Sequence, residues 1–158
     1  QRLLKIFNIL LKSFGKRNWW PGETPLEIIV GAVLTQNTSW KNVQKAIQNM
    51  KNECVLDIES LYRIGTERLS EIIRPSGFYN LKANRLKNIV NVIYNNYGAS
   101  IDNMANISLD ELRHSLLEIN GIGPETADSI LLYALNKPIF VVDAYTKRFL
   151  SKQNKQPT

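Results

Sequence analysis

The sequence is poor in cysteine and histidine, with one of each, Cys54 and His114, among its 158 residues. A single cysteine cannot form an internal disulfide bond, which is typical of proteins from a reducing compartment. It also leaves no set of thiolate ligands in this chain for zinc or for an iron–sulfur cluster. A lone histidine among polar neighbours favours a surface position over a ligand position. We therefore expect neither a metal ion nor a cofactor in this chain.

Long apolar segments and strand-like alternation are scarce as well. No apolar run is long enough to span a bilayer. The apolar stretch at residues 3–11 is interrupted by Lys5 and Asn8, which favours an amphipathic helix over a signal peptide. The one β-like run, residues 139–142, is short enough to be a buried extended connector. The sequence thus predicts an all-α protein with no membrane association.

Helical spacing of apolar residues recurs along the whole chain. The spacing predicts helices over residues 2–14, 26–35, 39–51, 57–64, 66–73 and 79–97, and a last short helix over residues 144–150. The segment 26–35 is apolar on nearly all sides, so we expect it to run through the core. We treat residues 1–158 as one helical domain.

Basic residues outnumber acidic ones by 20 to 14, giving a net charge of +6 and a pI near 9.5. This balance favours polyanionic partners, nucleic acid first and an anionic membrane surface second. A solvated basic surface is the plainer interpretation.

A helix–turn–helix over residues 108–136, here called the hairpin, contains the most informative motif. Two apolar stripes flank a turn at residues 120–124 with the pattern Gly121-Ile122-Gly123-Pro124. Pro124 suits the first position of a helix, and the two glycines leave backbone N–H groups uncovered at a positive helix N-terminus. The turn is therefore a candidate phosphate site, although a simple connection between helices has the same pattern.

This motif, followed by Asp143 at the end of an apolar run, resembles the helix-hairpin-helix element of the DNA glycosylases of the endonuclease III superfamily. The resemblance implies an all-α helix-hairpin-helix (HhH-GPD) glycosylase fold and a double-stranded DNA partner, with Gly121, Gly123 and Thr126 at the DNA. It also implies a protein of the prokaryotic cytoplasm and nucleoid that is a monomer at full length. Members of the family continue for several helices beyond the aspartate. We therefore expect this chain to lack its C-terminal helices, the part in which an iron–sulfur cluster of the family would lie.

Asp143 is the candidate catalytic residue. Aspartate is a favoured N-cap, and Asp143 precedes a helical stretch, so capping is the structural alternative. The two interpretations are compatible, because a helix N-terminus favours an ionised carboxylate. The resemblance implies that this carboxylate stabilises an oxocarbenium-like sugar while water cleaves the bond between base and sugar.

Glu125 departs from part of the family. Glycosylases that also cut the DNA strand have a lysine two residues past the second hairpin glycine, where its amine forms a Schiff base. Here that position is Glu125, which cannot form an imine. An acid in the first turn of a helix is also simply favourable. We expect no lyase activity.

Three further segments resemble the 3-methyladenine DNA glycosylase III branch of this family: residues 19–21, 34–40 and 74–80. The resemblance implies that aromatic residues of these segments line the base pocket and that a glutamine enters the gap left by the extruded base. The candidate pocket residues are Trp19, Trp20, Pro21, Gln36 and Trp40. Core packing for the tryptophans and helix capping for Gln36 are the structural alternatives.

The segment 77–83 resembles a family segment that meets the DNA backbone. On this basis Asn80 could cap the long helix that follows, with Lys82 and Arg85 near phosphate. An ordinary capped helix with solvated basic residues is the alternative.

The sequence as a whole favours a monofunctional DNA glycosylase for damaged bases, with alkylated purines as its substrates. A methylated purine is cationic, and an electron-rich indole attracts it by cation–π contact. Two other hypotheses stay open: a glycosylase for deaminated or oxidised bases, and a helix-hairpin-helix DNA-binding module without catalytic activity.

Overall fold

Helices make up the fold, as the apolar stripes predict. The computed structural model describes residues 2–17 and 19–154, and no β-strand occurs in these ranges. The α-helices are α1 (Arg2–Phe14), α2 (Pro25–Leu34), α3 (Trp40–Asn52), α4 (Ile58–Arg63), α5 (Thr66–Ile72), α6 (Tyr79–Tyr97), α7 (Ile101–Ala105), α8 (Leu109–Leu117), α9 (Pro124–Ser129) and α10 (Ala144–Asn154). A 3₁₀ turn at Arg74–Ser76 precedes α6, and a π-helical turn at Ile130–Ala134 continues α9.

Side-chain capping determines where several of the helices begin. The Thr24 hydroxyl accepts a hydrogen bond from the Glu27 backbone N–H at 3.1 Å, and Pro25 occupies the first helical position of α2. Asp57 caps α4 in the same way, accepting from the Ser60 N–H at 2.8 Å. These side chains satisfy backbone donors that have no partner inside the helix.

Helix α2 lies in the centre of the core, as its apolar composition predicts. All of its residues from 26 to 34 except Ile28 are buried. It packs against α3, α6, α9 and the π-helical turn. The buried Glu27 carboxylate is paired with the Lys51 ammonium at 3.0 Å, which compensates the one charge in this helix.

Three features differ from the sequence-based expectations. Helix α7 was not predicted; its only local signal is Ser100, whose hydroxyl accepts from the Asn103 N–H. The π-helical turn has no signal in the apolar pattern. Residues 139–142 form neither a helix nor a strand, and they are not buried as expected, since Phe140 is 68% exposed. Only Ile139 of this segment packs against the core.

Apolar side chains are exposed on two helices near the ends of the described chain. Helix α1 has no buried residue, and its large apolar side chains face outwards. Phe140, Val142, Tyr145 and Phe149 are exposed on and before α10. Among the described helices, none combines the length and apolar character that crossing a bilayer requires.

Candidate functional site

The hairpin is present where the sequence predicts it. Helix α8 ends at Leu117, α9 begins at Pro124, and Gly121 between them has a φ of 92°, a conformation that glycine adopts without strain. The Gly123 carbonyl accepts the first helical bond of α9, from the Ala127 N–H at 2.9 Å. Within the described residues the Gly123 N–H donates to no acceptor. The turn thus presents an open donor at the positive end of a helix.

An ion pair joins the two helices of the hairpin. Arg113 Nε of α8 donates to Asp128 Oδ1 of α9 at 2.7 Å, and the Asp128 side chain is almost fully buried. The carboxylate raises the pKa of Arg113, so the guanidinium stays charged. The pair fixes the angle between the helices and therefore the shape of the turn.

Three side chains hold the hairpin turn against the rest of the fold. Gln36, in the turn between α2 and α3, donates from Nε2 to the Gly121 carbonyl at 3.2 Å. The Gln36 Oε1 accepts from Arg85 Nη1 of α6, and Asn88 Nδ2 donates to the Asn120 carbonyl at 3.0 Å. Arg85 also packs on Gly121, where a Cβ atom would lie within 3.0 Å of three Arg85 side-chain atoms. Close contact with Arg85 is thus a second reason, besides the positive φ, why residue 121 is a glycine.

A cleft of about 830 Å³ opens at this turn. The hairpin segment 117–126 lines the cleft together with Gln36, Arg85, Val142 and Lys147. Two cationic side chains therefore share the cleft with the backbone donors of the hairpin, an arrangement suited to an anion such as phosphate. Lys147 was not selected from the sequence; its position four residues after Asp143, one helical turn along α10, is the signal that could have found it.

Asp143 is the N-cap of α10, as the capping interpretation predicts. Its Oδ1 accepts from the Thr146 backbone N–H at 2.7 Å, and the residue is half-buried. Its Oδ2 accepts no hydrogen bond from the described residues. A fixed carboxylate with one oxygen available can stabilise positive charge that develops beside it.

Trp20 and Trp40 pack edge to face, with ring centroids 5.6 Å apart and an interplanar angle of 80°. Both rings lie against α2 at Gly31, where a Cβ would lie 3.3 Å from Trp20 Nε1 and from Trp40 Cη2. Gly31 is therefore the residue that lets both indoles approach the helix. Both indole N–H groups are buried and lack an acceptor in the described part of the chain.

Tyr133 of the π-helical turn, which was not selected from the sequence, completes this aromatic cluster of Trp20, Trp40 and Tyr133. Its ring centroid lies 5.2 Å from that of Trp20, with the planes tilted by 32°. Burial, and then the negative charge of Asp143, raise the pKa of Tyr133, so its hydroxyl keeps its proton at neutral pH. The cluster therefore joins α3 to the π-helical turn, and the charge of Asp143 acts on its tyrosine.

The remaining aromatic candidates lie outside the cluster. Trp19 is 70% exposed and Pro21 is exposed, both in the loop before α2. Neither shows a ring contact within the described residues. Trp19, Trp20 and Pro21 were predicted to line the pocket together with Trp40. Of these three residues, Trp20 contacts Trp40 in the structure.

The predictions for segment 77–83 need correction. Lys82 is 1% exposed, and its Nζ donates to the Leu34 carbonyl at 2.8 Å and to the Ser76 carbonyl at 2.6 Å. The prediction that Lys82 contacts DNA phosphate is wrong, because its ammonium is enclosed and joins α2 to the 3₁₀ turn. Burial, and secondarily the charge of Arg85, lower the pKa of Lys82 to about 8. Asn80 is exposed but does not cap α6, since Phe78 precedes the first helical residue, Tyr79.

Glu125 and His114 are exposed. Glu125 lies in the first turn of α9 and lines the hairpin cleft. His114 lies 3.3 Å from Glu118 on the surface of α8, as expected of a solvated histidine. The residues of this chain do not fit an iron–sulfur cluster, because the one cysteine, Cys54, is exposed and no three potential metal ligands come together in the described ranges.

Comparisons with known proteins agree with this architecture. The sequence profile of the HhH-GPD superfamily base excision DNA repair proteins matches residues 30–155. A protein of Methanocaldococcus jannaschii, provisionally named a DNA repair glycosylase, is 54% identical over 154 residues, which cover 96% of this chain and 70% of that protein. Endonuclease III of Thermotoga maritima is 29% identical over 128 residues, covering 81% of this chain and 56% of that enzyme.

A solved structure extends the similarity to nearly the whole chain. The crystal structure of the H. pylori 3-methyladenine DNA glycosylase bound to 1,N6-ethenoadenine has a TM-score of 0.81 to this chain at 36% identity. The alignment covers 99% of this chain and 73% of that chain. The predicted helix-hairpin-helix fold is confirmed.

Proposed function

The chain belongs to the HhH-GPD superfamily of base excision DNA repair proteins, and we propose that it is a monofunctional DNA glycosylase that removes alkylated purines from double-stranded DNA. Its partner is a DNA duplex that contains a damaged base. The observation that carries the proposal is the aromatic cluster of Trp20, Trp40 and Tyr133, whose tyrosine lies within the electrostatic influence of Asp143. In a DNA-binding module without catalytic activity, Asp143 would serve only as the N-cap of α10 and the cluster only as packing against α2.

DNA binding is assigned to the hairpin cleft. The open Gly123 N–H, the N-terminus of α9 and the side chains of Arg85 and Lys147 provide donors and positive charge for a backbone phosphate. Contacts of this kind position a protein on DNA without reading its sequence. A damaged base then has to leave the helix, which costs a few kcal/mol and least for a weakened base pair.

Asp143 acts on the extruded nucleotide. As the glycosidic bond breaks, its electron pair leaves with the base and positive charge develops on the sugar. The Asp143 carboxylate stabilises this charge, and a water molecule forms the new bond to C1′. A purine alkylated on a ring nitrogen leaves as a neutral base, so this chemistry needs little assistance at the leaving group.

Glu125 supports the absence of a lyase step. It occupies the position where the strand-cutting members of the family have a lysine, and a carboxylate forms no imine. Water is then the nucleophile, and the product is an intact strand with an abasic site. Treatment with borohydride during the reaction should trap no covalent protein–DNA adduct, and a trapped adduct would contradict the monofunctional assignment.

Alkylated purines fit the aromatic cluster better than neutral bases do. Electron-rich indole and phenol faces attract a cation by about 0.5–2 kcal/mol, depending on desolvation. The 36% identity to a 3-methyladenine glycosylase over 99% of the chain supports the same class of substrate.

The test is an excision assay with the full chain on duplexes that contain 7-methylguanine, 1,N6-ethenoadenine, uracil or no lesion. We expect excision of the alkylated bases and intact strands before alkali treatment. Excision of uracil alone would favour the glycosylase for deaminated bases. Binding of all duplexes without excision of any base would identify a DNA-binding module.

A further inference from the structure

Tyr133 lies where the hairpin meets the aromatic cluster. It lies in the π-helical turn Ile130–Ala134, directly after α9 of the hairpin. Single π-helical turns interrupt α-helices rarely and are frequent at functional sites. The turn packs against α2, the helix that also supports Trp20 and Trp40. The backbone irregularity and the aromatic cluster thus meet at this residue.

The orientation of Tyr133 is fixed by its neighbours. Its ring lies on Trp20 at 5.2 Å, and its phenol group lies close enough to Asp143 for the carboxylate to raise its pKa. The side chain therefore contacts the ring of Trp20 and lies within the electrostatic influence of the proposed catalytic residue. Because the phenol stays protonated at neutral pH, it is a hydrogen-bond donor in this position.

The Tyr133 hydroxyl makes no hydrogen bond to any group in the described residues, although the residue is half-buried. Partly buried tyrosines usually combine an apolar ring contact with a hydrogen bond from the hydroxyl. Here the ring contact is present and the acceptor is not supplied by these parts of the protein. Unlike the two indole N–H groups, the hydroxyl is not enclosed, so it can donate to an acceptor on a bound molecule.

We propose that Tyr133 is a specificity-determining residue, whose ring forms the wall of the base pocket next to Asp143 and whose hydroxyl donates a hydrogen bond to the extruded base. The acceptor is a ring nitrogen or a carbonyl oxygen on the edge of a purine. The inference rests on the proposed glycosylase function. It assigns contacts with the base to Tyr133, in addition to the tryptophans and the proline that were predicted from the sequence.

A purely structural role for Tyr133 makes a different prediction. If the ring only supports Trp20, removing the hydroxyl changes nothing, because phenylalanine keeps the ring contact. Tyr133→Phe therefore separates the two roles, and Tyr133→Leu removes both ring and hydroxyl. Tyr62→Phe is the matched control, since Tyr62 stacks on Tyr94 at 3.8 Å, away from the cluster.

The experiment measures single-turnover excision of 7-methylguanine by the full chain and its variants. We expect Tyr133→Phe to excise about 3- to 10-fold more slowly, the effect of one neutral hydrogen bond. Tyr133→Leu should be slower again, and Tyr62→Phe should match the unsubstituted protein. Affinity for a duplex with a tetrahydrofuran abasic analogue, which has no base, should be the same for Tyr133→Phe and the unsubstituted protein.

Two results would overturn the inference and are distinguishable from failure of the proposed function. Excision by Tyr133→Phe at the unsubstituted rate would remove the hydroxyl from base recognition. An equal loss of affinity for the abasic duplex would show that the substitution acts on the fold or on backbone contacts. If the unsubstituted protein excises no lesion, the proposed function itself fails, and the inference fails with it.

Discussion

Gln36 and Thr126 are 90 residues apart in the chain, and Gln36 Nε2 donates a 2.9 Å hydrogen bond to the Thr126 hydroxyl. The same nitrogen donates to the Gly121 carbonyl, and the amide oxygen accepts from Arg85. The Gln36 amide thus joins the turn between α2 and α3 to both sides of the hairpin turn. Gln36 can enter a gap in DNA only after these bonds exchange partners, so the hairpin and the proposed base site are coupled through one side chain.

Gln36→Ala should lower the free energy of unfolding by about 1–3 kcal/mol, because partly buried partners lose their hydrogen bonds. Gln48→Ala is the control: Gln48 donates one exposed hydrogen bond to Asn52, and its loss should cost no more than about 0.5 kcal/mol. Urea unfolding followed by circular dichroism measures both. Equal stability of the two variants would show that the Gln36 bonds do not hold the hairpin.

The two hairpin glycines should respond differently to substitution. Gly123→Val places a side chain in open space at a φ of −92°, so it should cost only about 1 kcal/mol, for the loss of a favoured N-cap residue, while the side chain covers the open N–H groups. Affinity for all duplexes should fall alike, because phosphate contacts do not read sequence. Gly121→Ala should instead destabilise the protein by about 1–3 kcal/mol, through a positive φ and collision with Arg85. Binding titrations and unfolding curves separate the effects; unchanged affinity of Gly123→Val would remove the turn as the phosphate site.

Asp143→Asn should abolish excision while keeping both stability and DNA affinity. Asparagine caps a helix as well as aspartate does, so the hydrogen bond from the Thr146 N–H is retained. Loss of the negative charge should slow excision by at least about 100-fold. Asp143→Ala should show the same catalytic loss and, in addition, about 1 kcal/mol lower stability. Single-turnover assays and urea unfolding test this, and normal excision by Asp143→Asn would exclude the residue from the mechanism.

Stability should rise with pH through the titration of Lys82. Its pKa is about 8 in the folded protein, against 10.5 ordinarily, so between these values the unfolded chain binds more protons than the folded one. The cost of burying the ammonium is complete below pH 8 and is relieved between about pH 8 and 10.5. The difference in unfolding free energy between the unsubstituted protein and Lys82→Met should therefore increase across this range, and NMR of the Lys82 Nζ should report the same titration. If the difference in unfolding free energy between the two proteins does not change with pH, Lys82 is not an enclosed ammonium group in the folded protein.

The sequence was sufficient for most of the helices because apolar spacing and caps are local. Helix α3 begins at Trp40, one residue from the predicted start, and Pro124 begins α9 as predicted. The burial of Lys82 was not predicted, because the prediction used the positive charge of the side chain and not its position on the helix. Lys82 lies at i, i+4, i+7 and i+11 with Leu86, Ile89 and Ile93, so it belongs to the buried stripe of α6.

Other parts of the site depend on contacts between distant segments. The pairing of Gln36 with the hairpin joins residues 85 and 90 positions apart, which no local pattern reports. Tyr133 was missed because a π-helical turn alters the phase of the helix without altering its composition. The cluster of Trp20 with Trp40 was predicted through family resemblance, and its contact with Tyr133 came only from the structure.

Trp40→Ala should reduce excision of cationic lesions more than that of neutral ones. Its ring lies against Trp20 and α2, and the proposed cation–π attraction to a methylated purine adds about 0.5–2 kcal/mol to ordinary stacking. The rate for 7-methylguanine should therefore fall about 2- to 30-fold further than the rate for 1,N6-ethenoadenine. Any loss of folded protein lowers both rates equally, so the ratio of the two rates serves as an internal control. Trp40→Phe should keep most of the preference for the cationic lesion. Equal losses for both lesions would mean that Trp40 is only a wall or a core residue, and the substrate assignment would then widen to damaged bases in general.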